Sequence, residues 1–523
     1  MTVTVAGKNY TQISSCDSST AGGTWLILVT TDSTSFKEGS ASLCGVVKNA
    51  GATIITFTPT SAVDLSGTKH VRFWFLTIVG GLLETYALDG LNFWASDGTN
   101  TGYWKILGRD TYPGGWINCV IDVSKNCDSG TKPTNMNAIT SMGYRVTLTA
   151  LGKNVTSTWT DNLCICDGLV AYGDDAGGYF DLEDVFTADN ATTGGWGILR
   201  KIGGQYFATG LFEIGYATSA TKFQTKSSVL VFENRRVNDA LYTIKVVDSG
   251  NASYTTEFIL GSESGGAGIE GCMIRTQDLA QTCKYLIEGA GANVDNFKMY
   301  GTTFFDTSTI SLPPNATNVK VLSCNFEACA MVLLSTCIVE NCNFIAADNA
   351  GARVTDTGDT PAFKKSNLIS CPYGVRIPNT GTYKFDNLKF SGSVTADIDN
   401  TSGGLVTVNC VNGANPTTYT GNTTINNYVD VTVTVKDEAQ VNIQGVSVRV
   451  SKLEDNAVEY MNELTNVSGI ATESINYPGA VNLRIRVRKS STGIRYIPME
   501  TTGVMTTTGF ALTVTLYADG NIP

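Results

Sequence analysis

Histidine is nearly absent: His70 is the only one in 523 residues. Serine or cysteine nucleophiles need a positioned base. A single histidine beside Lys69, in a run that reads as a strand, is a strand-edge residue and no such base. Zinc chemistry is equally poorly served, because the fourteen cysteines include no Cys-x-x-Cys pair. Charge is sparse, at 16% of residues against the usual quarter or so, and the net charge is −11. That balance argues against nucleic acid or an anionic membrane as the main partner, since both demand a basic face. No apolar run reaches the roughly 20 residues of a membrane helix. Residues 1–10 lack the charged and apolar segments of a secretory signal. The expectation is synthesis and folding in a cytosol, where cysteines persist as buried thiols rather than disulfides.

Proline is scarce (12) while glycine is plentiful (54), and hydrophobic residues make up 42% of the chain. Threonine, asparagine, serine and valine recur throughout. β-Branched side chains fit pleated surfaces and Gly/Asn fit tight turns, so the composition predicts an all-β fold of short strands.

Residues 1–173 carry runs that mostly alternate large apolar with polar residues: Val71-Arg72-Phe73-Trp74-Phe75, Leu91-Asn92-Phe93-Trp94, Ile117-Asn118-Cys119-Val120-Ile121 and Trp159-Thr160-Asp161-Asn162-Leu163. Half-buried strands do this. Val63-Asp64-Leu65 leading into the Val71 strand, then Gly115-Trp116…Ile121-Asp122-Val123 and the closing Trp159–Leu163 run, resemble the jelly-roll sandwiches of carbohydrate-binding modules and laminin-G-like domains. The resemblance implies a β-sandwich with a possible sugar platform on Trp94, Tyr103 and Trp104, since aromatic faces stack on sugar C–H surfaces; Trp116 fits core packing better. Asp161 and Asn162 offer hard oxygen atoms that suit a structural Ca²⁺, or a hydrogen-bonding role at a strand end. No other cofactor is expected.

Residues 174–194, rich in Gly and Asp, read as a linker. From 195 to 425 a polar-Asn-apolar triplet recurs, centred on Asn296, Asn325, Asn343, Asn367, Asn387 and Asn409. Subtraction gives intervals of 29, 18, 24, 20 and 22 residues, about one coil of a parallel β-helix. A coil cannot bury its own apolar face, so coils stack, and asparagines at one position form a hydrogen-bonded ladder. Cys272, Cys324, Cys342 and Cys371 find a place in such a stack. Residues 426–523 resemble small Ig/transthyretin-like sandwiches of the carboxypeptidase-regulatory type, on Val431-Thr432-Val433, Val446-Ser447-Val448-Arg449-Val450 and Thr465-Asn466-Val467-Ser468-Gly469.

Glycan cleavage needs two carboxylates about 5–9.5 Å apart. The candidates Asp295, Glu327, Glu340, Asp356, Asp359 and Asp386 share no position in the triplet repeat, and residues 262–425 lack tryptophan. Gly266-Ala267-Gly268-Ile269-Glu270-Gly271 matches a dinucleotide fingerprint without its strand–helix context and reads as a turn. The whole resembles a bacteriophage tail fibre or tailspike-like virion protein. The resemblance implies a homotrimer made in the host cytoplasm, exposed on the particle beside other virion proteins, and attached to host surface polysaccharide. A decoration or assembly protein without a glycan ligand and a β-helical depolymerase are the alternatives.

Overall fold

The computed structural model describes residues 3–48, 51–67, 70–112, 114–149, 155–191, 196–208, 210–216, 218–232, 242–247, 253–264, 268–276, 285–290, 294–305, 307–313, 318–333, 337–345, 352–355, 362–477, 479–489 and 494–520. The fold is all-β, with one α-helix among the described residues, and includes long parallel sheets. The chain divides into two compact units, Met1–Val332 and Leu333–Pro523.

In the first unit the alternating runs become two six-stranded antiparallel sheets. His70–Thr77 lies between Ile117–Asp122 and Val155–Ile165 in one. Ser141–Leu148 lies between Gly51–Pro59 and Leu91–Ser96 in the other. The apolar residues of both sheets meet in one core containing Trp25, Phe57, Phe73, Phe75, Phe93, Trp104 and Tyr144. Phe73 and Tyr144 rings lie 4.2 Å apart. Polar atoms brought into this core find partners: Trp25 Nε1 donates to Ser14 Oγ at 3.0 Å, and Thr160 Oγ1 bonds the Tyr144 hydroxyl at 2.9 Å. Complete burial of such a ring contributes roughly 2–3 kcal/mol.

Strand Val155–Ile165 slips register between Asp161 and Cys164, with Asn162 at φ 42°. The bulge turns Asp161 and Asn162 away from the core together. The face they join also carries Arg72, Trp74 and Asn118, all almost fully buried, because a following segment covers it. That segment includes helix Leu182–Asp189, which lies within the stretch expected to be a linker. Asp181 caps it, accepting from the Glu183 and Asp184 amides while Asp184 returns a bond to the Asp181 amide. This capping box stops the chain behaving as a tether. Gly197, at φ 59°, then crosses Trp74 so closely that a Cβ there would sit 2.1 Å from the indole.

Beyond the antiparallel sheets the chain visits three parallel sheets in strict rotation. One contains Gln205–Ala208, Val229–Phe232, Met273–Thr276, Thr303–Phe305 and Asn325–Glu327. The next contains Leu211–Ile214, Tyr242–Val247, Tyr285–Ala290 and Thr307–Ser311. The third contains Thr221–Thr225, Thr256–Leu260, Val294–Tyr300 and Asn318–Leu322. Each strand therefore pairs with the one a full circuit later. Equivalent apolar residues stack: Phe223, Phe258 and Phe297 at 5.6 and 5.3 Å, and Phe304 on Phe326 at 5.0 Å with rings 4° from parallel. Gly268–Glu270, from the glycine-rich match, forms a small hairpin with Ser262–Ser264; Gly266 and Ala267 lie outside the described residues.

The second unit repeats the rotation. Buried rows run Phe344, Leu368, Phe390 and Val354, Val375, Ile398 in paired register. The expected boundary at 425/426 falls inside one continuous strand, Thr423–Lys436. Its first residues pair in parallel with Val406–Val411, and from Tyr428 it pairs antiparallel with Ile470–Asn476. Val429, Val431, Val433 and Val435 alternate into a second core with Val448, Val450, Leu483, Ile485 and Val487. Two of the intervening arginines, Arg484 and Arg486, face outward to Glu500.

Candidate functional site

The asparagine triplets occupy two sheets, not one. Asn343 and Asn367 are register partners, and Asn367 Nδ2 donates to Asn343 Oδ1 at 2.7 Å. Asn325 sits in the corresponding sheet of the first unit, opposite Thr303. Asn296 and Asn409 belong to the sheet that follows a different turn. Asn296 Oδ1 accepts from Asn318 at 2.9 Å, and Asn409 Oδ1 accepts from Asn426 at 3.0 Å. Asn387 is in neither row: it is a turn residue at φ 51°, and the residue opposite Asn367 is Lys389. Identical triplets thus arise from two corners of the coil. Replacing Asn367 by leucine is expected to cost about 1 kcal/mol in chemical denaturation, the net worth of one side-chain hydrogen bond.

The position before the asparagine is a buried polar step. Cys272 Sγ lies 3.4 Å from Thr302 Oγ1, and the Cys342 amide donates to Ser366 Oγ at 3.1 Å. Cys329 and Cys371 thiols reach the carbonyls of Phe304 and Phe344. No disulfide joins any of the thirteen described cysteines to another, and only Cys44 and Cys127 of them are not buried; Cys283 lies outside the described residues.

The expected sugar platform is not an open surface. Trp104 is wholly buried with Nε1 on the Lys125 carbonyl, and Trp94 is 6% exposed with Nε1 on the Ile55 carbonyl. Tyr103 is half-buried, and the Arg145 guanidinium covers its ring at 5.3 Å. Alternation sends Trp104 into the core with its register partner Phe93, whereas Trp94 and its partner Tyr103 lie on the other face of the sheet.

Asp161 and Asn162 are both committed to hydrogen bonds. Asp161 Oδ2 accepts the Lys37 and Glu38 amides at 2.6 and 2.9 Å; Asn162 Oδ1 accepts from Tyr10 and Gln12. Among the described residues no three acidic, cysteine or histidine side chains converge as a metal site. Asp161 Oδ1 and Asp189 Oδ1 are nevertheless buried without a partner among the described residues. Burial raises both carboxyls to about 7, and raises Glu38, which also feels Asp161 and Asp189, to about 8. This cluster of raised carboxyls has no signature in the sequence.

His70 begins its strand, with Nδ1 3.5 Å from Asp167 Oδ1. Of the candidate acids, Asp356 and Asp359 lie outside the described residues. Asp295 and Glu327 fall on different sheets. Glu340 and Asp386 share one register position, two strands apart, with Lys364 between them. Glu340 is held below the usual range by its hydrogen bond to Lys365 at 2.7 Å.

Two clefts remain. One, of about 640 Å³, lies in the first unit against Asn9, Gln12, Thr60, Asp64 and Asp167, with no aromatic wall. The other, of about 420 Å³, lies in the second unit beside Tyr428 and Tyr477. No protein-family model matches the chain, and no curated protein matches it.

Proposed function

We propose that this chain is a structural protein of a bacteriophage virion, a tail fibre or tailspike-like appendage that contacts host surface glycan. In this reading residues 195–425 form a parallel β-helix that spaces a jelly-roll sandwich (1–173) from a transthyretin-like sandwich (426–523). The observation that carries it is the rotation through three parallel sheets with phenylalanines stacked in register. Each strand's backbone groups are used by its neighbours along the stack, which yields stiffness without a moving part.

The acids of the solenoid support architecture over catalysis. A glycosidase needs one carboxyl held protonated near neutral pH. Glu340 is driven the other way by its lysines, and Lys364 stands between it and Asp386. A structural ladder of alternating charge fits this row better than an acid–base pair.

Three chains packed side by side would cover exposed strand edges. Sedimentation equilibrium of the full chain is expected to give a particle of three 55.6 kDa subunits, and incubation with capsule or lipopolysaccharide no soluble oligosaccharide. A monomer, or sugar release, would sink this reading. A second reading, a decoration or assembly protein, draws on the exposed Leu464, Val467 and Ile494 of the C-terminal module, at 64, 76 and 64%. A glycan array separates the two.

A further inference from the structure

The geometry points to a binding site for a carboxylated oligosaccharide in the cleft where strand Thr423–Lys436 changes partners; the inference rests on the glycan-contact reading above. Parallel pairing with Val406–Val411 ends at Asn427, and antiparallel pairing begins at Tyr428. A strand cannot follow two sheets at once without opening a crevice between them. The crevice holds about 420 Å³, within the roughly 300–1,000 Å³ typical of ligand pockets.

Its walls are held before any ligand arrives. Asn415 Oδ1 accepts the Phe390 amide at 2.8 Å. Asp397 Oδ2 accepts the Thr417 and Thr418 amides at 2.7 and 3.1 Å. Pro416, between them, is buried. On the other side the Tyr477 amide donates to the Asn427 carbonyl at 2.5 Å. Ordering costs that weaken binding are thereby met in the fold itself.

The lining matches sugar chemistry. Tyr428 and Tyr477, both half-buried, line the cleft, and neither hydroxyl has a partner among the described residues. The Asn427 amide is exposed there too. Tyrosine rings stack on sugar C–H faces while their hydroxyls bond sugar hydroxyls. Lys389 supplies the charge: its Nζ rests on the Gly413 carbonyl at 2.5 Å, and no carboxylate pairs with it among the described residues. No acidic residue lines the cleft. An ammonium without a carboxylate partner, in a cleft also lined by two tyrosines, selects a sugar bearing a carboxylate over a neutral one. The larger cleft of the first unit, lined by Asp64 and Asp167, has the opposite bias.

The test is calorimetric titration of the full chain with trigalacturonate and 3′-sialyllactose, and with maltotriose and lactose as neutral counterparts. At least one acidic sugar is expected to bind, at least tenfold more tightly than its neutral counterpart. Lys389→Met, a surface change that leaves folding intact, is expected to erase that preference. Tyr477→Phe, which removes only the hydroxyl, is expected to weaken binding severalfold, and Tyr428→Ala/Tyr477→Ala to abolish it. Unchanged binding in these variants, or equal affinity for neutral sugars, would overturn the site while leaving glycan attachment standing. Absence of binding to any of these sugars overturns the site, and a blank glycan array overturns the attachment reading as well.

Discussion

Phe297→Ala is expected to lower the unfolding free energy of the first unit by about 3–5 kcal/mol, the usual cost of emptying a phenylalanine site. Phe297 is fully buried and stacks 5.3 Å from Phe258, which stacks in turn on Phe223. A neighbouring coil cannot slide in to fill the gap, because its position is fixed by backbone pairing to Glu257–Leu260 on one side and Asn318–Leu322 on the other. The cavity therefore persists, and the loss should fall at the upper end. Urea denaturation followed by circular dichroism measures it. A change below about 1 kcal/mol would mean that the stack does not carry the fold.

The second large effect is a dependence on pH. Asp161 and Asp189 titrate at about 7 in the fold, against about 4 when unfolded. Below pH 4 both states hold the proton and nothing is lost. As pH rises from 4 to 7 the unfolded chain ionises and the folded chain does not, so stability declines, and it levels off above 7. The charged groups around this seam include Arg72, which favours Asp189 ionisation, Lys37, which favours that of Glu38, and Asp17 and Glu38, which oppose ionisation of their neighbours. Asp189→Asn keeps an oxygen for the Leu199 amide, now 2.6 Å from Oδ2, and removes the titration. It is expected to stabilise the protein at pH 8 by up to about 4 kcal/mol and to leave pH 4 unchanged. Melting curves at the two pH values check it; a variant that is destabilised at pH 8 would show that the aspartate is ionised and needed there.

Much of the architecture is legible in the residues. Alternation locates the antiparallel strands, and Asn343 with Asn367 reveals a true register. The same triplet misleads at Asp386-Asn387-Leu388. The pairing position is two residues later, at Lys389, because coil length varies and a triplet carries no record of which corner it occupies. Helix Leu182–Asp189 was available from Asp181 and Asp184, a capping box written with aspartates. Burial of Trp94 and Trp104 was not, since a ring that can stack on sugar can equally fill a core, as Trp104 does, or lie against its own sheet, as Trp94 does. The shared register of Glu340 and Asp386 is invisible too, being set by Lys364 on the strand between. The Tyr428–Tyr477 cleft depends on residues 49 positions apart in the chain, brought together only when one strand changes sheets.

On the proposed function, the chain is a built part of a virus particle. Labelling intact, purified particles with antibody against the full chain, imaged by electron microscopy, tests it most directly. The expected result is label at one defined place on the particle exterior, in a number divisible by three. Particles that carry no label, with the protein recovered only from the soluble fraction of the lysate, would contradict it.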